Sequence, residues 1–320
     1  MSRTTKIWLI VAGSLVLIGC ILFVCVMFAL DWDFKKLSTV TLETNTYEIS
    51  ETFSDISLST STADITFVLS EDGKCRVECY EEENAKHSVA VEAGVLTVGI
   101  NDQSAWYDHI GIHLRSPEIT VYLPKAEYTS LSIRESTGNV TIPKDCSFGN
   151  VDISASTGHV DFSASVAESV KIKTSTGHIR VENTTVDSLD LSVSTGMVHV
   201  SGVTCRGKLT VGVSTGKAYL SDIACDSIES NGSTGDITLI SVIADNRFSI
   251  ERSTGNVTFS KCDAGGISIK TSTGDVTGSL RSGKVFITRT DTGDVRVPET
   301  TAGGRCEIHT DTGNIEIEID

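Results

Sequence analysis

From Leu131 to Ile317 apolar residues alternate with polar ones, and the alternation keeps one phase around a recurring Thr-Gly pair. Two residues past each glycine stand Val140, Val160, Ile179, Val198, Ala218, Ile237, Val257, Val276, Val295 and Ile315. The positions four past, five before and seven before are apolar in the same way, and only Gly278, Ser230 and Thr288 interrupt them with a small or polar residue. A period of two belongs to a strand with one buried face, and no period of 3.6 fits between the pairs. The pattern predicts two short strands per repeat, a tight corner at Thr-Gly and a looser turn of about eight residues.

The corner pairs are Thr137-Gly138, Thr157-Gly158, Thr176-Gly177, Thr195-Gly196, Thr215-Gly216, Thr234-Gly235, Thr254-Gly255, Thr273-Gly274, Thr292-Gly293 and Thr312-Gly313. Their spacing is 19 or 20 residues throughout. A repeat this short cannot bury its apolar face alone, whereas stacked coils share one core. The fold class is therefore all-β, a single-stranded β-solenoid of 19–20-residue coils. Ten coils at one strand spacing each would make a rod about 45–50 Å long. The glycines are expected at positive φ, where a Cβ is resisted. The threonines are expected to stack, with hydroxyls on corner backbone groups or on each other.

The phase extends backwards. Ile56, Leu58, Ser61-Thr62-Ala63, Ile65 and Phe67 match one coil with Ala63 at the glycine position. Ile119 reads as another degenerate corner, with Ile112, Leu114, Val121 and Leu123 in the apolar columns. Between them lies an insertion, 68–111, with strand-like runs at Cys75–Tyr80, Ser88–Val91 and Val95–Ile100. The organisation expected is a tail at 1–6, a transmembrane helix at 7–30, a linker at 31–50, a cap with degenerate coils at 51–130 and regular repeats at 131–320.

Ile7–Leu30 is almost unbroken in its apolarity, enough for a helix to span a bilayer. Lys and Arg are equal in number on its two sides, so the short tail and free amine place the N-terminus inside and the repeats outside. A signal peptide fits less well, because the run is long and lacks a small-x-small exit. Leu17-Ile18-Gly19-Cys20 resembles a lipidation box, although the chain stays apolar after Cys20.

The chain carries 42 acidic and 26 basic residues, a net charge of −16. Such a surface repels nucleic acid and anionic lipid. Seven of the nine cysteines lie beyond the apolar run, an odd number that excludes a fully paired disulfide scaffold. Cys205 and Cys225 share one phase in neighbouring coils and are read as unbridged thiols, because parallel neighbours fit disulfide geometry poorly. Cys75 and Cys79 carry little metal signal by themselves.

No nucleophile elbow, zinc-protease helix, phosphate loop or dinucleotide fingerprint occurs, and no cofactor is implied. A catalytic serine is needed once, whereas Ser-Thr-Gly recurs at corner after corner; the triplet is structural. His159 and His178 follow successive corner glycines, with Asp161 and His199 two residues further on; together they are a candidate set for a transition metal. Asp236, Asp275 and Asp294 also follow corner glycines, but a calcium solenoid uses a shorter repeat. Trp106 and Tyr107, the one close aromatic pair of the insertion, are a ligand candidate.

The runs "DISLSTSTADITF", "ITVYLPKAEYTSLSIRESTGNV" and the reiterated "STGDV" and "STGNV" corners resemble bacterial envelope proteins with β-strand repeats known as putative adhesins, a domain of no established function. The resemblance covers roughly residues 50–320 and supplies no catalytic residues. It implies a bacterial, often Gram-positive, surface or membrane-tethered protein, and the one apolar run makes a single pass the expectation. The expected function is a non-enzymatic, membrane-anchored solenoid that binds cell wall, matrix or a membrane protein. Alternatives are an envelope-stress-sensing ectodomain acting through a membrane partner and, third, a polysaccharide-active β-helix enzyme. An end-to-end or edge oligomer through the strand that closes the chain is compatible with the pattern.

Overall fold

The computed structural model describes residues 2–32, 42–83, 85–100 and 116–320. Trp106, Tyr107, Ile112 and Leu114 lie outside the described residues. The first element is α1 (Arg3–Ala29), capped by Ser2, whose hydroxyl accepts the Thr5 amide at 3.2 Å. Its most apolar window has a mean hydropathy of 3.0 and is wholly exposed, so it is long and apolar enough to cross a membrane.

The rest is a β-solenoid. Successive coils pair in parallel and in register, so that Thr137, Thr157, Thr176 and Thr195 stand in one row and Thr234, Thr254 and Thr273 in its continuation. The apolar columns are buried: Val160, Ile172 and Ile179, for example, are 0% exposed. Burying such rows coil upon coil removes apolar surface that no single repeat could hide.

The looser turn expected from the sequence is itself a paired strand. Ile223, Ala224 and Cys225 lie opposite Val242, Ile243 and Ala244 in the next coil. Their inward residues, among them Val186, Val203, Cys205, Ile223, Cys225, Val242 and Cys262, add to the core. A second corner opens this segment, six residues past the glycine. Asn183, Gly202, Asp222, Ser241 and Lys261 take φ of 52–63° there, a left-handed conformation most readily adopted by Gly, Asn and Asp. In these five coils three hydrogen-bonded sides leave fewer backbone groups to satisfy than two sides and a loop would.

Neither end of the stack follows chain order. The early strands are β1 (Leu42–Ile49), β2 (Asp55–Thr62), β3 (Asp64–Leu69), β4 (Cys75–Glu82), β5 (His87–Glu92), β6 (Val95–Ile100) and β7 (Glu118–Leu123). β2 and β3 form the coil next to Gly138, with Ile56 opposite Leu131 and Ile65 opposite Val140. β6 and β7 make the layer beyond, with Leu96 opposite Ile56 and Ile119 opposite Ile65. Ile119 is therefore not a corner. It stands in the column two past the corner, Pro117 takes the corner place, and the layer lies outside the Ala63 coil. Burial decides this register, since Ile119 and Val121 are both 0% exposed. Antiparallel strands close this end: β1 on β4, β4 on β7, and β5 on β6.

At the other end the coil of Gly313 sits between those of Gly274 and Gly293. Cys306 pairs with Ile267 on one side and Phe286 on the other, and Ile315 with Val276 and Val295. The chain's last strand is thus an inner layer with Ile315 and Ile317 buried, contrary to the open edge expected there. The edge belongs instead to residues 284–296, where Val285, Ile287 and Val295 are 38%, 46% and 42% exposed.

Candidate functional site

The ten corner glycines have φ between 125° and 158°. A Cβ on any of them would lie 1.7–2.2 Å from the carbonyl oxygen of the glycine, or of Ala63, in the neighbouring coil. No side chain fits at that distance, which gives the Thr-Gly row a packing role. The hydroxyls that reach the corner backbone come from three residues earlier. Buried Thr271 and Thr310 and half-buried Thr290 donate to Gly255 O, Gly274 O and Gly313 O at 3.3, 3.0 and 2.9 Å. The residues three before the glycine form another inward column, which also holds Glu135 and Arg252.

At six corners the residue that follows has a second duty. Asp64 Oδ1 accepts the Asn139 amide at 2.8 Å, and Asn139 Oδ1 accepts that of His159 at 2.9 Å. Asp236, Asn256, Asp275 and Asn314 continue the scheme onto Asn256, Asp275, Asn314 and Asp294 at 2.7–3.0 Å. The side chain replaces a ladder bond, and the strand breaks at each such corner. The carboxylates of Asp236 and Asp275 are therefore engaged with backbone.

Four consecutive coils depart from this rule. They carry His159, His178, Met197 and Lys217 after the glycine, and there the strand runs unbroken through the corner. On this stretch rings stack outward. His159 and His178 are register partners with centroids 4.6 Å apart, and His199 lies 5.0 Å from Tyr219 at 14° between planes. Parallel coils hold such pairs near the separation at which rings attract. Arg180 bridges Glu182 at 2.9 Å, and His199 Nε2 is 3.9 Å from the same carboxylate. His159, His178, His199 and Asp161 share one face, but no three of them bring donor atoms within 4.8 Å of one another.

Arg252 and Glu135 are buried charged groups of the inward column three before the glycine. Arg252 is 2% exposed; its Nη2 donates to Ser230 Oγ at 2.8 Å and its Nη1 to Val213 O at 3.4 Å. Gly232 supplies the space, since a Cβ there would meet Arg252 Nη1. Ser230, an irregularity in the sequence pattern, is thus a partner for a buried cation. Desolvation lowers the Arg252 guanidinium to about 10. Glu135 is 4% exposed beside Thr60 and accepts the Thr137 amide at 2.9 Å; burial pushes its carboxyl up to about 7. Cys205 and Cys225 are free and buried, and desolvation takes the Cys225 thiol to about 12, an unreactive state.

The geometry offers packing devices and one ring-bearing outer face. Neither Arg252 nor the left-handed second corner was anticipated from the sequence; the Asn, Gly, Asp, Ser and Lys at a fixed six-residue offset were the available signal for the latter.

Among known families, Toastrack (DUF4097) matches residues 53–216 and 206–320. No curated protein matches the chain. Similar solved structures include a putative adhesin from Bacteroides fragilis, 14% identical, covering 87% of this chain and 97% of its own, with a TM-score of 0.42. A putative lipid binding protein from Parabacteroides distasonis is 16% identical over 88% of this chain and 98% of its own, TM-score 0.45. A putative adhesin from Parabacteroides merdae is 15% identical over 87% and 96%, TM-score 0.39.

Proposed function

The chain belongs to the Toastrack family, DUF4097, and from that premise we propose a membrane-anchored solenoid of the cell envelope that binds an extended polymer without catalysis. The apolar helix Arg3–Ala29 is the anchor, with the N-terminus inside and the coils outside. The binding face is the stretch from Gly158 to Tyr219, where His159, His178, His199 and Tyr219 project from consecutive coils. The observation that carries this reading is the coincidence of ring stacking with loss of the Asx ladder. Those four coils lack the Asx side chain after the glycine, and each carries an outward ring one or three residues past it. Two rigid ring pairs on adjoining columns of four consecutive coils suit a repeating partner, and preorganisation lowers the entropy lost on binding.

The test uses the full chain in membrane vesicles incubated with insoluble cell-wall glycan. Retention should fall when His199 and Tyr219 are both replaced by Ser, and should not fall when Thr238 and Thr258 on the same column are replaced. Equal retention by both variants defeats the assignment of the face. Capture of one membrane protein at fixed stoichiometry in place of glycan would support a sensing ectodomain, and glycan turnover would make the protein an enzyme.

A further inference from the structure

The end of the solenoid formed by β1, β4 and β5 holds a cluster unrelated to the ring-bearing face. Along β4 the inward residues are Cys75, Val77, Cys79 and Glu81, and a strand places residues i and i+2 on the same side. Cys79 and Glu81 are both 0% exposed. The turn after β4 brings His87 back onto them at the start of β5, with 6% exposure. The donor atoms of Cys79, Glu81 and His87 all lie within 4.8 Å of one another, the only such trio of Cys, His, Asp or Glu among the described residues.

The surrounding bonds show a carboxylate held in place and an imidazole left incomplete. Glu81 Oε2 accepts the His87 backbone amide at 2.6 Å and lies 2.7 Å from His87 Nδ1. Glu81 Oε1 accepts Asn45 Nδ2 at 2.7 Å, and Tyr47 donates its hydroxyl to His87 O at 3.1 Å. His87 Nε2 is buried and has no partner among the described residues. A fully buried carboxylate is costly unless a cation or strong donors compensate it. Here the nearest ion-pairing group is His87 itself, and Lys86 is engaged with Glu43.

We propose that Cys79, Glu81 and His87 form a binding site for a transition-metal ion of the zinc class. Thiolate, imidazole and carboxylate together are a donor set that zinc accepts and that calcium and magnesium do not favour. The ion would neutralise the buried carboxylate and complete the imidazole. Three protein donors leave the fourth tetrahedral position to a water. Asn45 and Tyr47 orient the ligands from outside, the role hydrogen-bonded partners commonly play at metal sites. The consequence for the fold is a clamp between β4 and β5, which pair with β1 and β6 rather than with each other.

The experiment loads chelator-treated full chain in detergent with one equivalent of zinc or cobalt. X-ray absorption at the zinc edge should show one sulfur near 2.3 Å with lighter atoms near 2.0 Å, values ordinary for zinc (roughly these distances in general). Cobalt should give a thiolate charge-transfer band. Cys79→Ser, His87→Gln and the isosteric Glu81→Gln should each weaken binding by about tenfold or more. His159→Gln should leave it unchanged. A zinc shell of oxygen and nitrogen alone, the absence of stoichiometric binding, or unaltered affinity in folded Glu81→Gln and His87→Gln would each overturn the proposal. The absorption spectrum of the unsubstituted protein decides the matter even if every variant fails to fold.

Discussion

Replacing Glu135 by Gln removes one buried titration from the core and should change the pH dependence of stability in a definite sense. The folded carboxyl sits at about 7 against an ordinary 4.5, with burial as the dominant cause. Its folded pKa is therefore raised, so between pH 4.5 and 7 the folded protein holds a proton that the unfolded chain has released. Stability falls as pH climbs through that window and is flat above it. A shift of this size corresponds to about 3 kcal/mol at 1.36 kcal/mol per unit. Gln keeps the shape, and its carbonyl can accept the Thr137 amide as Glu135 Oε1 does at 2.9 Å. Chemical denaturation of the full chain in detergent, followed by far-UV circular dichroism from pH 4 to 8.5, gives the difference between the two proteins. Other titrating groups cancel in that difference. Near pH 4 the proteins should match within about 0.5 kcal/mol, and above pH 7 the Gln variant should be more stable by about 3 kcal/mol. A difference that stays flat across the range, or a variant that loses ground as pH rises, would refute the reasoning.

Two further outcomes test the packing. Gly177→Ala should destabilise by about 3 kcal/mol or more, because its Cβ would lie 1.8 Å from Gly158 O at φ 146°, whereas Gly212→Ala, whose nearest neighbour is 3.7 Å away, should stay within about 1 kcal/mol on the same denaturation assay. Hydrogen exchange read by mass spectrometry should show residues 304–319 more protected than residues 284–296, since the former lie between two coils and the latter at the edge; the reverse order would restore a stack built in chain order.

Much of the architecture is legible in the residues because alternation reports burial directly. Val160, Ile179 and Ile172 read as inward and are inward, and the corner glycines announce themselves by their spacing. The inward column three before the glycine was harder to see, because Glu135, Arg252 and several threonines occupy it and charge is ordinarily a sign of exposure. In the five coils from Gly177 to Gly255 the third strand was hidden in the same way by the polar residues of its left-handed corner. The cluster of Cys79, Glu81 and His87 gave half a signal: Cys79 and Glu81 share a strand face, but nothing in the chain says where the turn to His87 will close.

The sequence by itself determined which side of each strand is buried, where the tight corners fall and that coils must stack, since these follow from period, glycine placement and the inability of one repeat to form a core. Only the tertiary structure decided which coil lies against which. All coils offer the same columns, so the pattern cannot rank neighbours, and both ends depart from chain order. Tertiary contact also turned isolated irregularities into devices. Ser230 and Gly232 make a place for Arg252 because stacking sets adjacent coils against each other, and Glu81 meets an imidazole six residues on because the turn after β4 closes there.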